Sequence, residues 1–297
     1  MSDAQHLETI ARELSDSGEY RVLRRLQRRA MFEPEDGTPT RLGIFLDLET
    51  TGIDPAQDEI IEIAMVPFTY ALDGRIFEIQ PSFEALRQPS KPIPPEIVKI
   101  TGIDDAMVQG RSIDPAAVAA FAAPAAIVIA HNAAFDRRFA ERFCEIFTTK
   151  AWGCSMAQVD WAGERFEGTK LTYLATQCGF FYDAHRAADD CAAALEILAR
   201  PLPSTGAPAL ASLLETARKA TWRIWAENSP FDQKDILKRR GYRWNSEVGG
   251  APKAWFIDVS EEQCEVEITF LKSEIYRGDV DFLTKRITAY DRYSERC

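Results

Sequence analysis

Residues 43–52 read Gly43-Ile44-Phe45-Leu46-Asp47-Leu48-Glu49-Thr50-Thr51-Gly52. The first six form a short apolar run, which reads as a buried β-strand. Side chains alternate faces along a strand, so Asp47 and Glu49 point the same way. Two carboxylates side by side repel each other and are costly near a core. Taken alone, the pair is a strand end solvated by water. Its meaning depends on what the rest of the chain brings to it.

Working outward, residues 59–70 and 75–80 read as the next two strands, with Leu72-Asp73-Gly74 as the turn between them. A short helix over 95–100 ends at Gly102, and 125–130 is a fourth apolar strand. A helix over 133–147, a strand near 152–156 and helices over 171–178 and 188–198 follow. Strands first, then alternation with helices, predict an α/β sheet covered by helices on both faces. Upstream, residues 2–15 read as an amphipathic helix stopped by Ser15-Asp16-Ser17-Gly18. Residues 21–29 hold five Arg, either a basic face that meets phosphates or a solvated charged surface. The Pro-, Gly- and acid-rich stretch 33–40 reads as a linker. Residues 200–208 carry three Pro and mark a domain boundary. The chain therefore divides into an extension (1–40), a main domain (41–200), a connecting helix (201–220) and a small Trp-rich α/β tail (221–297). In the tail the expected order is helix 209–219, strand 221–227, helix 232–240, strands 242–245 and 254–259, helix 261–276 and strand 284–290.

Composition bounds the function. The 297 residues are 46% hydrophobic and 27% charged, which suits a globular chain with its own core. The longest apolar stretch, 121–130, is too short for a bilayer, which needs about 20 residues. The N-terminus has no basic segment followed by an apolar one, so no signal peptide and no membrane partner are expected. Six Cys form no CxxC pair and read as reduced thiols, placing the protein in the cytoplasm. With only three His, carboxylates are the plentiful metal ligands. The net charge is −11. Residues 221–297 are nearly balanced, with 13 Lys/Arg against 14 Asp/Glu, so the acidity lies in the first 220 residues. A polyanionic substrate would need a local basic patch or bound cations here.

Two further carboxylate motifs follow. His131-Asn-Ala-Ala-Phe-Asp136 opens a helix on which Asp136 shares an apolar stripe with Phe139, Ala140 and Phe143. An Asp in such a stripe needs a partner, either the helix N-terminus or a metal ion. His185-Arg-Ala-Ala-Asp-Asp190 places Asp190 in the first turns of another helix and His185 in the loop before it, with Asp189 turned outward. Converged at one sheet edge, four such carboxylates require cations. Oxygen ligands without Cys select Mg²⁺ or Mn²⁺. Two ions about 3.5–4 Å apart activate a water and stabilise a leaving oxygen in phosphodiester hydrolysis, and a His can accept the proton.

Asp47-x-Glu49-Thr-Thr-Gly52, His131-Asn-x-x-Phe-Asp136 and His185-x4-Asp190, in this order, resemble the three motifs of the DEDDh exonucleases. These are the DnaQ-like 3′–5′ exonucleases, a family that includes the proofreading epsilon subunit of DNA polymerase III. The stretch from Pro92 to Gly102 resembles another region of the family, and the likeness spans roughly residues 41–200. It implies a ribonuclease H-like fold with a mixed five-stranded sheet. It implies that Asp47, Glu49, Asp136 and Asp190 bind two divalent ions and that His185 is the general base. The backbone from Leu48 through Thr50 to Gly52 would meet the terminal nucleotide, with Thr51 near its 3′ hydroxyl. Ile100 and Thr101 would wedge against the terminal base or sugar. His131 and Asn132 would organise their motif, with Asn132 beside the substrate. The substrate class is nucleic acid with a 3′ end, single-stranded DNA favoured and RNA open. A polymerase or repair assembly is the alternative setting for the activity.

The tail lies outside the resemblance. It holds four of the six Trp, interleaved with cations in Leu237-Lys238-Arg239-Arg240-Gly241-Tyr242-Arg243-Trp244-Asn245 and Lys253-Ala254-Trp255. Aromatics among cations suit single-stranded nucleic acid, with Lys238, Arg239, Arg240, Arg243 and Trp244 as the contacts. The alternative is a small domain that uses its Trp as core. Self-association is a third.

Overall fold

The computed structural model describes residues 3–246 and 252–296. Helix α1 (Asp3–Asp16) precedes an extended segment holding the two-residue strand β1 (Arg24–Arg25). The long strands β2 (Thr40–Thr50) and β3 (Ile60–Ala71) follow, then β4 (Ile76–Ile79) and β5 (Phe83–Leu86). Three short helices, α2 (Pro95–Thr101), α3 (Asp105–Val108) and α4 (Pro115–Ala122), lead to β6 (Ile127–Ala130). Next come α5 (Ala133–Phe143), β7 (Trp152–Cys154), α6 (Leu171–Gln177), β8 (Phe180–Phe181) and α7 (Ala187–Leu198). Helix α8 (Ala209–Arg218) leads into the tail of β9 (Thr221–Ala226), α9 (Lys234–Arg239), β10 (Arg243–Trp244), β11 (Trp255–Ser260), α10 (Glu261–Phe270) and β12 (Thr284–Ile287).

The main sheet runs β4-β3-β2-β6-β7, with β5 added beside β3. β2 is antiparallel to β3 and parallel to β6. This is the mixed, ribonuclease H-like sheet that the motifs imply, with one short strand more. Alternation on β2 sets the two layers. Ile44, Leu46 and Leu48 pack with Ala133, Phe139 and Ala140 of α5. Phe45 packs on the other face with Ala187, Cys191 and Ala194 of α7. Asp47 and Glu49 share the parity of Phe45 and so face α7. The small side chains of α7 let it lie close to the sheet, and the Cys191 thiol sits 3.6 Å from the Phe45 carbonyl oxygen. Gly43 is required by packing: a Cβ there would fall 2.6 Å from the Phe68 ring.

The element limits differ from the expectations where local chemistry overrides periodicity. The helix expected over 133–147 ends at Phe143, because Cys144 is extended (φ −148) and a 3₁₀ turn, Glu145–Thr149, follows. Helix α4 was hidden in a stretch that is almost uniformly small and apolar. Its signals are Pro115 in the first turn and Asp114, whose carboxylate accepts the Ala116 N–H. The tail helix expected over 261–276 is α-helical to Phe270 and then widens into a π-helical turn, Leu271–Tyr276. The last expected strand stops at Ile287, where Asp291 accepts the Thr288 N–H and hydroxyl and turns the chain.

Two segments tie the parts together. The basic stretch 21–29 lies along the main domain, with β1 parallel to β8. Four of its five Arg are matched by carboxylates, Arg24 with Glu8, Arg25 with Asp183, Arg28 with Asp189 and Arg29 with Glu196, and Arg21 donates to the Thr176 and Gln177 carbonyls. The stretch is therefore a solvated charged surface whose arginines are neutralised by carboxylates, and the phosphate-meeting alternative gives way. At the other end, residues 289–296 return to α5. Arg137 of that helix is fully buried, pairs with Glu141 at 2.7 Å, and donates to the carbonyls of Ala289, Tyr290 and Arg292. Among the described residues, no helix is long and apolar enough to cross a membrane.

Candidate active site

Carboxylate oxygens of Asp47, Glu49 and Asp190 all lie within 4.8 Å of one another. β2 supplies the first two from one face, and the first turn of α7 supplies the third across from them. Asp136 enters from the first turn of α5, immediately beyond β6. Burial raises its carboxyl, against the backbone N–H groups of Asp136 itself and of Leu48, which lower it. Asp136 is only 2% exposed, and its Oδ1 has no hydrogen-bond partner. A buried acceptor without a donor is costly unless something positive faces it.

The electrostatics agree. Burial raises the carboxyl of Asp47 well above its usual range, and Asp136, Asp190 and Glu49 raise it further. Burial likewise raises Asp136. Glu49 is pushed up to about 8 by burial, then by Asp190 and Glu62. Asp190 is raised by burial against two supporting bonds, the Tyr182 hydroxyl at 2.7 Å and the His185 N–H at 2.8 Å. Such a group of carboxyls is a poor anion cluster alone and a good cradle for hard divalent cations. Asp47, Glu49, Asp136 and Asp190 therefore fit a divalent metal, on the orphaned Oδ1 of Asp136 and an all-oxygen donor set.

His185 is exposed on the loop before α7 with a left-handed backbone (φ 69). That twist lets its N–H cap the Asp190 carboxylate while its ring stays free in solvent. His131 has a different task. Its Nε2 donates to the Thr169 carbonyl at 2.8 Å, so its Nδ1 accepts the Ser155 hydroxyl at 2.9 Å. Burial lowers its pKa to about 4, which keeps it neutral as a brace between β6 and the neighbouring loops. Asn132 takes the left-handed turn (φ 80) that starts α5, with its side chain exposed.

The other expected contacts separate into two groups. Leu48 and Thr50 are buried, and the Thr50 hydroxyl donates to the Gly52 carbonyl. The Thr51 hydroxyl accepts the Glu59 N–H and donates to Asp58. Gly52 admits no side chain, since a Cβ would meet the Asp58 carboxylate at 2.4 Å. Ile100 projects from the end of α2, 53% exposed. Thr101 next to it is buried, and its hydroxyl bonds the Ile97 carbonyl and the Ile103 N–H, so its side chain serves the helix end. The tail cations are mostly engaged. Arg240 pairs with Glu267 and stacks on Phe270, Arg243 pairs with Asp258, and Lys238 sits over Trp255. Arg239 and Trp244 are exposed.

Sequence reasoning missed the pair Arg186–Glu62. Glu62 lies opposite Glu49 on β3 and is 7% exposed. It accepts Arg186 at 2.8 Å and the Ala187 N–H at 3.0 Å. It thus fixes the start of α7 beside the carboxylates. Its only sequence signal is a charge in an otherwise apolar strand. Tyr182 was missed for the same reason, as one more aromatic in an apolar stretch.

Comparison with known proteins assigns the class. The exonuclease family profile (RNase_T, Exonuclease) matches residues 44–198, the span that carries all four carboxylates and His185. The chain belongs to that exonuclease family, in its DnaQ-like branch, and is a nuclease. Among its relatives is the DNA polymerase III subunit epsilon of Treponema pallidum, 33% identical over 162 residues, covering 51% of this chain and 72% of that one. The PolC-type DNA polymerase III of Caldanaerobacter subterraneus subsp. tengcongensis is 30% identical over 165 residues, 54% of this chain but only 11% of the polymerase. In fold the chain is similar to the zinc-bound E. coli exonuclease I complex with single-stranded DNA. The TM-score is 0.51 at 16% identity, over 79% of this chain and 71% of that one.

Proposed function

We propose that this protein is a metal-dependent 3′–5′ exonuclease that releases nucleoside 5′-monophosphates from the 3′ end of nucleic acid. The observation that carries this reading is the convergence of Asp47, Glu49 and Asp190 within 4.8 Å beside the partnerless, buried Oδ1 of Asp136. Two Mg²⁺ or Mn²⁺ ions held by these four carboxylates would supply Lewis acidity to the scissile phosphate, lower the pKa of the attacking water and stabilise the departing 3′ oxygen. The chain's own groups do the rest. His185, free at its ring and anchored at its backbone, takes the proton from the water. Tyr182 holds Asp190 in place, and Arg186–Glu62 holds the loop that carries His185. The backbone from Leu48 to Gly52 lines the approach to Asp47 and Glu49, Asn132 borders Asp136, and Ile100 offers an exposed apolar face to a terminal base.

Single-stranded DNA is the preferred substrate in this reading, supported by the DNA polymerases among the relatives. RNA is the other outcome of the test. A second reading makes the nuclease part of a polymerase or repair assembly, and the same relatives favour it. A cytoplasmic setting agrees with the five described cysteines, all free thiols. The test uses matched 5′-labelled DNA and RNA single strands with Mg²⁺ or Mn²⁺, with Asp47→Ala and EDTA as controls. A ladder shortening from the 3′ end, absent in both controls, is expected, faster on DNA. Folded protein that leaves both strands intact rejects the autonomous enzyme.

A further inference from the structure

The tail carries a groove that the carboxylate cluster does not use. Its floor is Ala226 and Ala254, and its walls are Phe231, Lys234, Trp244, Lys253 and Trp255. It holds about 350 Å³, within the range of small-ligand sites. Two of its aromatics are out in solvent: Phe231 is 80% exposed and Trp244 49%. Trp244 meets Trp255 edge to face across the β10–β11 pair, with centroids 5.5 Å apart. Lys234 lies 4.1 Å above the Phe231 ring. Among the described residues neither Lys234 nor Lys253 has a carboxylate partner, whereas Arg223, Arg240, Arg243 and Lys272 of the tail do. The rest of the aromatic set is structural: Trp225 is buried, and Trp222 packs on the tail core.

Exposed rings flanked by unpaired lysines match one ligand chemistry, flat π-faces strung on a polyanion. We propose that this groove binds single-stranded nucleic acid by stacking a base among Phe231, Trp244 and Trp255, with Lys234 and Lys253 on the flanking phosphates. It replaces Arg240 and Arg243, which are engaged with Glu267 and Asp258, as the point of contact. The proposal extends the exonuclease reading to a part of the strand away from the scissile bond, and it is tested without turnover.

The experiment titrates the 297-residue chain in EDTA with 5′-fluorescein dT15, rU15 and dT3, reading anisotropy and tryptophan fluorescence. Wild type is expected to bind the 15-mers with quenching. Trp244→Ala is expected to bind about 5- to 150-fold more weakly, the equivalent of roughly 1–3 kcal/mol per stacked base. Trp244→Phe should recover most of the loss. Lys234→Gln/Lys253→Gln should lower the slope of log affinity against log salt by roughly 1.4, about 0.7 per single-strand phosphate. Circular dichroism checks that each variant is folded, and cleavage of thymidine 5′-(p-nitrophenyl phosphate), which is too small to reach both sites, should be unchanged. Wild-type binding by Trp244→Ala and by the double lysine variant overturns the proposal, as does a wild type that binds neither 15-mer. Binding that needs Trp244 in a protein that hydrolyses nothing leaves the groove standing and removes the exonuclease reading.

Discussion

Arg137→Ala would remove a guanidinium with no exposed surface. It takes away the ion pair with Glu141 at 2.7 Å, bonds to Arg292 and Tyr290 at 2.7 and 2.6 Å, a longer one to Ala289, and the contact over the Trp152 ring. Breaking a buried pair from one side costs about 3–5 kcal/mol. Glu141 keeps Ser294 and Arg296, which places the cost near the lower end, about 3 kcal/mol. At roughly 2–4 °C per kcal/mol for a domain of this size, the melting temperature should fall by about 6–12 °C. The lost bonds free residues 289–292 from α5 while Glu141 still holds Ser294 and Arg296, so limited proteolysis should clip the C-terminal segment first, at 289–292. Arg137 follows Asp136 on the same helix, so the rise in melting temperature on adding Mg²⁺ should also shrink. Arg137→Lys should not restore the wild type, because an ammonium cannot span the carbonyls that the planar fork reaches. A destabilisation under about 1 kcal/mol, with unchanged proteolysis, would refute the claim that the segment is locked through this side chain.

Further outcomes follow from the site. His185→Asn keeps a side chain that tolerates the left-handed backbone and keeps the N–H on Asp190, so kcat should drop about 10²–10⁴-fold while the Mg²⁺-induced rise in melting temperature persists; loss of that rise would make His185 structural. Tyr182→Phe removes the hydroxyl from Asp190 and should weaken metal affinity by about 10–100-fold, read by Mn²⁺ titration; an unchanged affinity contradicts the support role. Glu49 in the folded, metal-free protein holds a proton up to about pH 8, whereas the unfolded carboxyl loses it near 4.5. Between those values the native state binds more protons, so stability in EDTA should fall as pH rises. Because Mg²⁺ needs the ionised form, the gap in melting temperature with and without Mg²⁺ should widen from pH 5.5 to 8; a narrowing gap rejects the assignment. Asp47→Asn removes one of the crowded charges and should raise the melting temperature in EDTA at pH 8 while abolishing the response to Mg²⁺; a lower melting temperature in EDTA would mean that the charge is satisfied within the protein.

The site was legible because its parts lie in short motifs whose geometry is local. Strand alternation put Asp47 and Glu49 on one face, and helical spacing put Asp136 and Asp190 on inward stripes. What escaped notice depended on tertiary contacts that no periodicity encodes. Arg137 and Glu62 look like ordinary surface charges until the tail and α7 close over them. The arginines of 21–29 read equally as a phosphate-binding face or a solvated surface, and only the fold brings Glu8, Asp183, Asp189 and Glu196 to four of them. Thr101 was placed against the substrate by motif position, but its hydroxyl is consumed at the end of α2. The tail showed its Trp-and-cation composition without showing which Trp were core. Trp225 is buried and Trp244 is not, a split set by the pairing of β9, β10 and β11.

The most direct measurement is the identity of the first product. A DNA single strand carrying a label on its 3′-terminal nucleoside would be incubated with Mn²⁺ and the protein, with Asp136→Asn alongside, and the label followed by chromatography. Four carboxylates acting at a 3′ end predict that the label appears at once as the nucleoside 5′-monophosphate, with none from Asp136→Asn. Label emerging as a nucleoside, as a 3′-monophosphate or within longer fragments, or equal release by Asp136→Asn, would contradict them.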